Sequence, residues 1–168
     1  MASAPFHFKK FSIFQEGVTH AVGTDGVLLG AWANITGAAR ILDIGTGTGL
    51  IALMLAQRSA ASVQITALDI HSGSVACARQ NVANSPWQDR VAVLETSVQA
   101  FAATSTHTFD LIVSNPPFFS DLTISPDATR SLGRHMASLS IGDLLTAILQ
   151  LLAPAGKCCL ILPEKEGK

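Results

Sequence analysis

The stretch Asp43-Ile44-Gly45-Thr46-Gly47-Thr48-Gly49-Leu50 joins an apolar run at 39–44 to a helical run at 49–57. Its three alternating glycines exceed what a tight turn between a strand and a helix requires. Glycine adopts positive φ at little cost and lets a ligand lie directly against the backbone. A dinucleotide-binding fingerprint would place its third glycine at position 50, which is leucine here. The stretch therefore predicts a ligand-binding loop of an α/β fold, but not a dinucleotide site.

Apolar runs typical of strands alternate with helical runs along the rest of the chain. The predicted strands are 39–44, 64–69, 91–95, 109–114 and 157–163, and the predicted helices are 25–33, 49–57, 73–83 and one that begins at Ser140. Such alternation indicates βαβ units, hence a mostly parallel sheet with helices on both faces. We expect a single α/β domain over 1–168, in which the N-terminal segment 1–38 packs on the core, and a long functional loop at 118–138.

The composition favours a buried sheet over a membrane segment. Hydrophobic residues make up 48% of the chain, and the mean hydropathy is +0.39. Because no stretch approaches the ~20 apolar residues of a membrane helix, we expect this apolar excess inside the fold. The formal net charge of -1 is not that of a non-specific nucleic-acid binder. An RNA enzyme would need a local basic patch, for which Lys9, Lys10, Arg130 and Arg134 are available.

The residue types that usually bind metals show no suitable spacing. Cys77, Cys158 and Cys159 form neither a disulfide framework nor a metal-binding pattern, and the five histidines show no metal or triad spacing. We therefore expect buried, reduced thiols, no metal site and a cytoplasmic protein. The N-terminus also lacks the apolar segment of a signal peptide.

An acidic residue follows the predicted second strand. Asp69 lies 24 residues after Gly45, at the carboxyl end of the run 64–69. In open α/β sheets ligands bind beyond the carboxyl ends of the strands, and a carboxylate at this place can accept hydrogen bonds from both ribose hydroxyls. The alternative is a surface aspartate that caps the next helix. Together with the glycine loop, Asp69 favours a nucleoside site.

The stretch Ser114-Asn115-Pro116-Pro117-Phe118 follows the predicted fourth strand and resembles the N-P-P-[FY] motif of methyltransferases that act on amide or exocyclic amine nitrogens. The alternative is a polar turn that contains prolines. The resemblance implies a site for a flat amine. The Asn115 side-chain carbonyl and the Pro116 backbone carbonyl can accept hydrogen bonds from the two N–H groups of such an amine. The consecutive prolines Pro116 and Pro117 fix φ and favour extended preceding residues, so that these carbonyls are oriented before substrate binds. Phe118 offers a face on which a flipped base can stack.

These two stretches resemble motifs of class I methyltransferases. The loop resembles their first motif, and 114–118 resembles the N-P-P-[FY] motif of enzymes that methylate amide or exocyclic amine nitrogens. The resemblance implies a Rossmann-like fold, S-adenosyl-L-methionine as cofactor and no metal or covalent nucleophile. It further implies that Asp43 orients the loop and the methionyl amino group, and that the loop glycines line the adenosyl moiety: Gly45, Gly47 and Gly49.

Two further residues belong to the expected cofactor site. Ile70 directly follows Asp69. Ser97 stands where the family commonly has an aspartate that contacts the adenine amino group, so a hydroxyl replaces the usual charge there. Asn115 is expected to border the cofactor as well as the substrate.

The segment 22–32, read with 43–58, 78–91 and 114–119, resembles a narrower family, the bacterial tRNA1(Val) (adenine-37-N6)-methyltransferases. The resemblance implies N6-methylation of an adenine in a tRNA anticodon loop, with Gly23 and Thr24 near the methionyl end of the cofactor. Two alternatives within N-P-P-[FY] enzymes are an rRNA guanine-N2 methyltransferase and a protein glutamine N-methyltransferase. An alternative of another class is a non-catalytic cofactor-binding fragment.

The number of predicted strands departs from the resemblance. Class I methyltransferases have a seven-stranded sheet in the order 3-2-1-4-5-7-6, whereas five strands are predicted here. The resemblance therefore implies that strands six and seven are missing and that the C-terminal part is truncated. The last predicted strand, at 157–163, would then lie at an open apolar edge, which favours self-association.

Overall fold

A five-stranded parallel sheet forms the centre of the protein, in a computed structural model that describes residues 4–18, 21–116 and 139–164. A separate two-stranded hairpin precedes it. The elements follow in the order β1 (Phe6–His7), β2 (Ser12–Ile13), α1 (Thr24–Trp32), β3 (Arg40–Ile44), α2 (Leu50–Arg58), β4 (Gln64–Asp69), α3 (Ser72–Ala83), β5 (Val91–Glu95), α4 (Val98–Thr104), β6 (Phe109–Ser114), α5 (Ile141–Leu151) and β7 (Leu152–Leu160).

The strand order in the sheet is β5-β4-β3-β6-β7, and every neighbouring pair is parallel. The chain winds outward from β3 to β5 and then crosses back to β6 on the other side of β3. The carboxyl ends of β3 and β6 therefore flank a crevice of the kind in which α/β proteins bind ligands. This order confirms the predicted α/β fold and corresponds to 3-2-1-4-5 of the class I order. Among the described strands, β7 pairs with β6 alone and forms one edge.

Helices cover both faces of the sheet, as predicted. Helices α2 and α3 pack on one face, and α4 and α5 pack on the other, so that two apolar clusters lie on either side of the strands. Helix α1 lies on α2, where Gly30 permits close approach because a Cβ there would be 2.7 Å from the Met54 sulfur. Ile13 of the N-terminal hairpin is fully buried in the same cluster.

The predicted boundaries agree with the structure to within one residue, except at the last strand. Strands β4, β5 and β6 have the predicted limits, and α5 begins after Ser140, whose hydroxyl accepts a hydrogen bond from the Asp143 N–H at 3.1 Å. The predicted start of the last strand at 157 is wrong, because α5 passes directly into β7 at Leu152. The residues of β7 before position 157 are accommodated by an irregularity in the pairing of β7 with β6. The two strands lie close together there, since a Cβ on Gly156 would be 2.9 Å from the Phe109 carbonyl oxygen.

The structure also bears on the predictions about cysteine burial, the long loop and membrane helices. The expected burial of the cysteines is correct for Cys77 but wrong for Cys158, which lies exposed on the edge strand β7. The loop expected at 118–138 lies outside the described residues. None of the helices in the described ranges has the length and apolarity to cross a lipid bilayer.

Candidate active site

The glycine loop lies at the carboxyl end of β3, beside the crevice. Gly45, Gly47 and Gly49 have φ values of +73°, +56° and +80°, in the left-handed region that side chains other than glycine rarely adopt. A Cβ on Gly45 or Gly47 would meet no atom within 4 Å, so the space next to the backbone is open there. At Gly49 a Cβ would lie 3.4 Å from the Ala78 Cβ, because the loop packs closely on α3. The loop thus exposes backbone without side chains to the crevice at Gly45 and Gly47, and at Gly49 it packs on α3.

Asp43 is fully buried beneath this loop. Its Oδ2 accepts a hydrogen bond from the Thr46 hydroxyl at 2.6 Å. The Ala52 N–H lies near enough to lower the carboxyl pKa, yet Oδ1 makes no hydrogen bond of ordinary geometry to the described residues. Burial raises the pKa of Asp43 from 3.8 to about 6, against the smaller opposing effect of Thr46. An enclosed carboxylate of this kind is costly unless a positive charge lies near it.

Asp69 is almost buried at the end of β4 and binds two backbone groups. Its Oδ2 accepts a hydrogen bond from the Gly47 N–H, and its Oδ1 accepts one from the His71 N–H, each at 2.9 Å. The carboxylate therefore connects the glycine loop to the turn before α3. Each oxygen retains a second lone pair, so a ribose can still be bound.

Ile70 and Ser97 lie at the carboxyl ends of the strands next to the loop. The Ile70 side chain is 45% exposed although it is apolar, so it offers a surface on which a flat ring can pack. Ser97 is the N-cap of α4, and its hydroxyl oxygen accepts a hydrogen bond from the Ala100 N–H at 3.1 Å. Its capping role explains a serine there independently of any ligand.

Asn115 lies on the other side of the crevice. It follows Ser114, which is paired in register with Ile44, the residue before the glycine loop. Its side chain is half-buried, makes no hydrogen bond to another described residue, and has its Nδ2 4.0 Å from where a Cβ on Gly26 would lie. Pro116 is buried, whereas Pro117 and Phe118 lie outside the described residues.

Helix α1 brings the N-terminal part of the predicted site to the same corner. Gly23 is its N-cap, with extended backbone, and Thr24 is its first residue. Both are exposed, and the first turn of the helix contains Gly26, where a Cβ would lie 3.3 Å from a Leu50 methyl carbon. The structure therefore brings together the α1 N-terminus, the start of α2 and Asn115.

Two buried polar residues at the site escaped the sequence reasoning. The Ser114 hydroxyl donates a hydrogen bond to the Ile44 carbonyl at 2.8 Å and so connects the ends of β6 and β3. Asn81 is fully buried in α3 and binds the Thr48 carbonyl of the glycine loop. The sequence did contain a signal for Asn81, because it is a polar residue on the buried face of α3, where Ala78 and Val82 are apolar. No group of three potential metal ligands occurs within the described ranges.

Known proteins resemble the chain in sequence. The model of the methyltransferase small domain matches residues 23–146. The tRNA1(Val) (adenine(37)-N6)-methyltransferase of Parabacteroides distasonis is 50% identical over 166 residues, which are 99% of this chain and 69% of that protein. The protein of the same name from Aeromonas hydrophila is 49% identical over 158 residues, 94% of this chain and 66% of that protein. The chain thus spans about two thirds of the length of these curated relatives.

Solved structures resemble the chain in fold. TrmN from Thermus thermophilus has a TM-score of 0.57 at 24% identity, over 76% of this chain and 34% of that chain. A methyltransferase from Thiobacillus denitrificans in complex with S-adenosyl-L-homocysteine has a TM-score of 0.60 at 16% identity, over 86% of this chain and 50% of that chain. These identities support the fold alone. The sequence relationships are closer, and by them the chain belongs to the tRNA1(Val) (adenine(37)-N6)-methyltransferase family within the methyltransferase small domain family.

Proposed function

We propose that this protein binds S-adenosyl-L-methionine at the glycine loop and transfers its methyl group to N6 of an adenine in tRNA, at position 37 of the anticodon loop. The observation that carries the proposal is the position of Asn115. Its side-chain amide makes no hydrogen bond within the described part of the chain and lies at the switch point of the sheet, beside the open loop and near the N-terminal turn of α1. The names of the curated relatives supply the nucleotide and the RNA.

The residues present fit this cofactor. The bare backbone at Gly45 and Gly47 leaves room for an adenosyl group, and Asp69 has lone pairs left for ribose hydroxyls. The enclosed carboxylate of Asp43 would be stabilised by the charge of a methionyl ammonium group near the loop. Ile70 offers an apolar surface for the adenine ring. When bound, the cofactor supplies a sulfonium methyl group that is already activated for transfer.

The chain's own residues then have to position the amine. The lone pair of an exocyclic amine is delocalised into its ring, so the nitrogen is a weak nucleophile. The Asn115 side-chain carbonyl and the Pro116 backbone carbonyl would accept its two N–H groups and stabilise the positive charge that develops on the nitrogen. Pro117 would favour an extended backbone at Pro116 and so orient its carbonyl, and Phe118 would stack on the flipped base.

The rRNA guanine-N2 and protein glutamine alternatives use the same acceptor geometry. The curated relatives favour tRNA, and the phenylalanine at 118, where glutamine methyltransferases have tyrosine, argues against the glutamine alternative. A tRNA substrate also implies a cytoplasmic protein, which we propose as its location.

The proposal is tested by incubating the protein with tritiated cofactor and, in separate reactions, bulk tRNA, rRNA and a release factor. We expect label in tRNA, and mass spectrometry of its nucleosides should identify N6-methyladenosine. Methylguanosine in rRNA would support the ribosomal alternative, and label in the release factor would support the glutamine alternative. Binding of S-adenosylhomocysteine without any transfer would support a non-catalytic fragment and contradict the proposed activity.

We also propose that the edge strand β7 pairs with β7 of a second copy. Cys158 is exposed on this strand, which has a neighbour on one side only among the described residues. A charged side chain on an edge opposes such pairing. In sedimentation experiments Cys158→Lys should shift the protein toward monomer, whereas Cys158→Ser, which only removes the thiol, should not. A wild-type chain that stays monomeric at all concentrations would contradict this pairing.

A further inference from the structure

Asn81 is a fully buried side chain that binds two separate loops. Its Nδ2 donates hydrogen bonds to the Thr48 carbonyl at 2.8 Å and to the Phe14 carbonyl at 2.9 Å. Its Oδ1 accepts a hydrogen bond from the Phe14 N–H at 2.8 Å. Both amide hydrogens are used, and the partners are 33 and 67 residues away in sequence. The side chain thus fixes backbone groups that no helix or strand holds.

One partner belongs to the proposed cofactor loop. Thr48 lies between Gly47 and Gly49, which both have positive φ. Glycines give this part of the backbone freedom that an ordinary residue would lack. The hydrogen bond from Asn81 to the Thr48 carbonyl opposes that freedom from below, on the side away from the crevice.

The other partner begins the segment that leads to α1. After Phe14, the Gln15 side-chain oxygen accepts a hydrogen bond from the Val22 N–H at 2.7 Å, one residue before Gly23. The segment also lies closely on the start of α3, since a Cβ on Gly73 would be 2.5 Å from the Gly17 carbonyl oxygen. Asn81 therefore joins the segment before α1 and the glycine loop to one rigid helix.

Helix packing alone does not require an amide at this position. The neighbours on the buried face of α3 include Val75, Ala78 and Val82, and an apolar side chain would continue that face. An apolar side chain would, however, leave the Thr48 carbonyl and the Phe14 N–H without this partner, which is unfavourable, and the Phe14 carbonyl would keep only the Cys77 thiol at 3.1 Å.

We infer that Asn81 is a positioning residue that holds the glycine loop in its ligand-binding conformation and fixes it relative to the segment before α1. The inference rests on the proposed function, because it takes the glycine loop as the site of S-adenosylmethionine. Asn81 itself touches neither the crevice nor the substrate corner.

The test compares Asn81→Ala with Val82→Ala, a matched truncation of the next buried residue on the same helix. Affinity for S-adenosylhomocysteine is measured by calorimetry at a temperature at which both variants are folded. Loss of a hydrogen bond to the loop should weaken the affinity of Asn81→Ala about tenfold, whereas Val82→Ala should stay within about twofold of the wild type. Amide hydrogen exchange should accelerate at 45–49 in Asn81→Ala only.

Equal affinities of the two variants, with equal exchange at 45–49, would overturn the inference and leave Asn81 a purely structural residue. If Asn81→Ala does not fold, Asn81→Ser, which retains one donor, is measured in the same way. The proposed function fails separately, because in that case the wild-type chain itself would not bind S-adenosylhomocysteine.

Discussion

The glycine loop and the Asn115 corner face each other across one crevice, but their polar groups are arranged in opposite ways. Around the loop, Asp69 and Asn81 both bind backbone groups of the loop itself. At the corner, the Asn115 side chain makes no hydrogen bond to any described residue, and its Nδ2 lies 4.0 Å from where a Cβ on Gly26 of α1 would be. The first region is preorganised by the protein, whereas the second presents unused hydrogen-bonding capacity.

This difference indicates how the two regions contribute to transfer. A loop whose shape is fixed before binding loses little entropy when the cofactor binds, so changes there should alter affinity. An acceptor beside the crevice that has no partner among the described residues contributes only when the substrate amine arrives, so a change there should alter the rate. The opposite result, in which a change in the loop alters the rate and a change at Asn115 alters the affinity, would refute this comparison.

The largest expected effect is on the rate of transfer in Asn115→Ala. Loss of one preoriented polar group lowers rates on the order of 10²–10³-fold, and cofactor affinity should be nearly unchanged. Transfer to tRNA and calorimetry with S-adenosylhomocysteine measure the two quantities. Asn84→Ala, an exposed asparagine at the C-cap of α3, is the control and should behave as the wild type. Near-normal turnover in Asn115→Ala would refute the amine-positioning role.

Four strands of the central sheet were predictable because each is a largely apolar run between loops, whereas β7 contains Pro154, Gly156 and Lys157 and its start was predicted wrongly. The limits of β4, β5 and β6 followed from these runs, and the strand order that creates the switch point followed from the resemblance to class I methyltransferases. Asp69 and Asn115 were recognisable because the first ends such a run and the second directly follows one, whereas Asp43, inside β3, was recognisable from the glycine motif that follows it. Residues at the ends of strands can thus be recognised from the local sequence.

The remaining elements depend on contacts that a sequence does not reveal. Helix α4 has seven residues, too few for a clear period, and the N-terminal hairpin is supported by stacking of Phe8 on Phe11 at 4.6 Å. The role of Asn81 depends on partners that are distant in the chain. The same is true of Asp69, where the sequence indicated a ribose ligand but not the hydrogen bond to Gly47.

A smaller effect is expected for Asp69→Ala. The change removes the acceptor of the Gly47 N–H and the proposed ribose contact, so affinity for S-adenosylhomocysteine should fall by about 1–3 kcal/mol. Asp110→Ala is a matched control, because Asp110 also accepts two backbone hydrogen bonds, from Ala39 and Arg40, at the opposite end of the sheet. Unchanged affinity in Asp69→Ala, or an equal loss in Asp110→Ala, would show that the loop is not preorganised by this carboxylate.

The smallest effect concerns Asp43, the exception within the preorganised region, because its Oδ1 lacks a partner among the described residues. Burial raises its pKa from 3.8 to about 6, so the folded protein holds a proton that the unfolded chain releases. The stability from this group is complete below pH 3.8, is lost as the pH rises through about 6, and does not change further above that.

Without ligand, the free energy of unfolding should therefore be about 1 kcal/mol lower at pH 7 than at pH 5 through Asp43 alone. Urea unfolding of the wild type and Asp43→Asn at both pH values isolates this contribution, which the variant lacks. Asp110→Asn is the control. The Arg40 and Ala39 N–H groups lower the pKa of Asp110, so the change in stability that is linked to its titration occurs at a more acidic pH than the range tested. Saturating S-adenosylhomocysteine should reduce the difference between wild type and Asp43→Asn in how much the free energy of unfolding changes from pH 5 to pH 7. The reason is that a nearby ammonium group favours the ionised carboxylate. A difference that is the same with and without ligand would place the methionyl end of the cofactor away from Asp43.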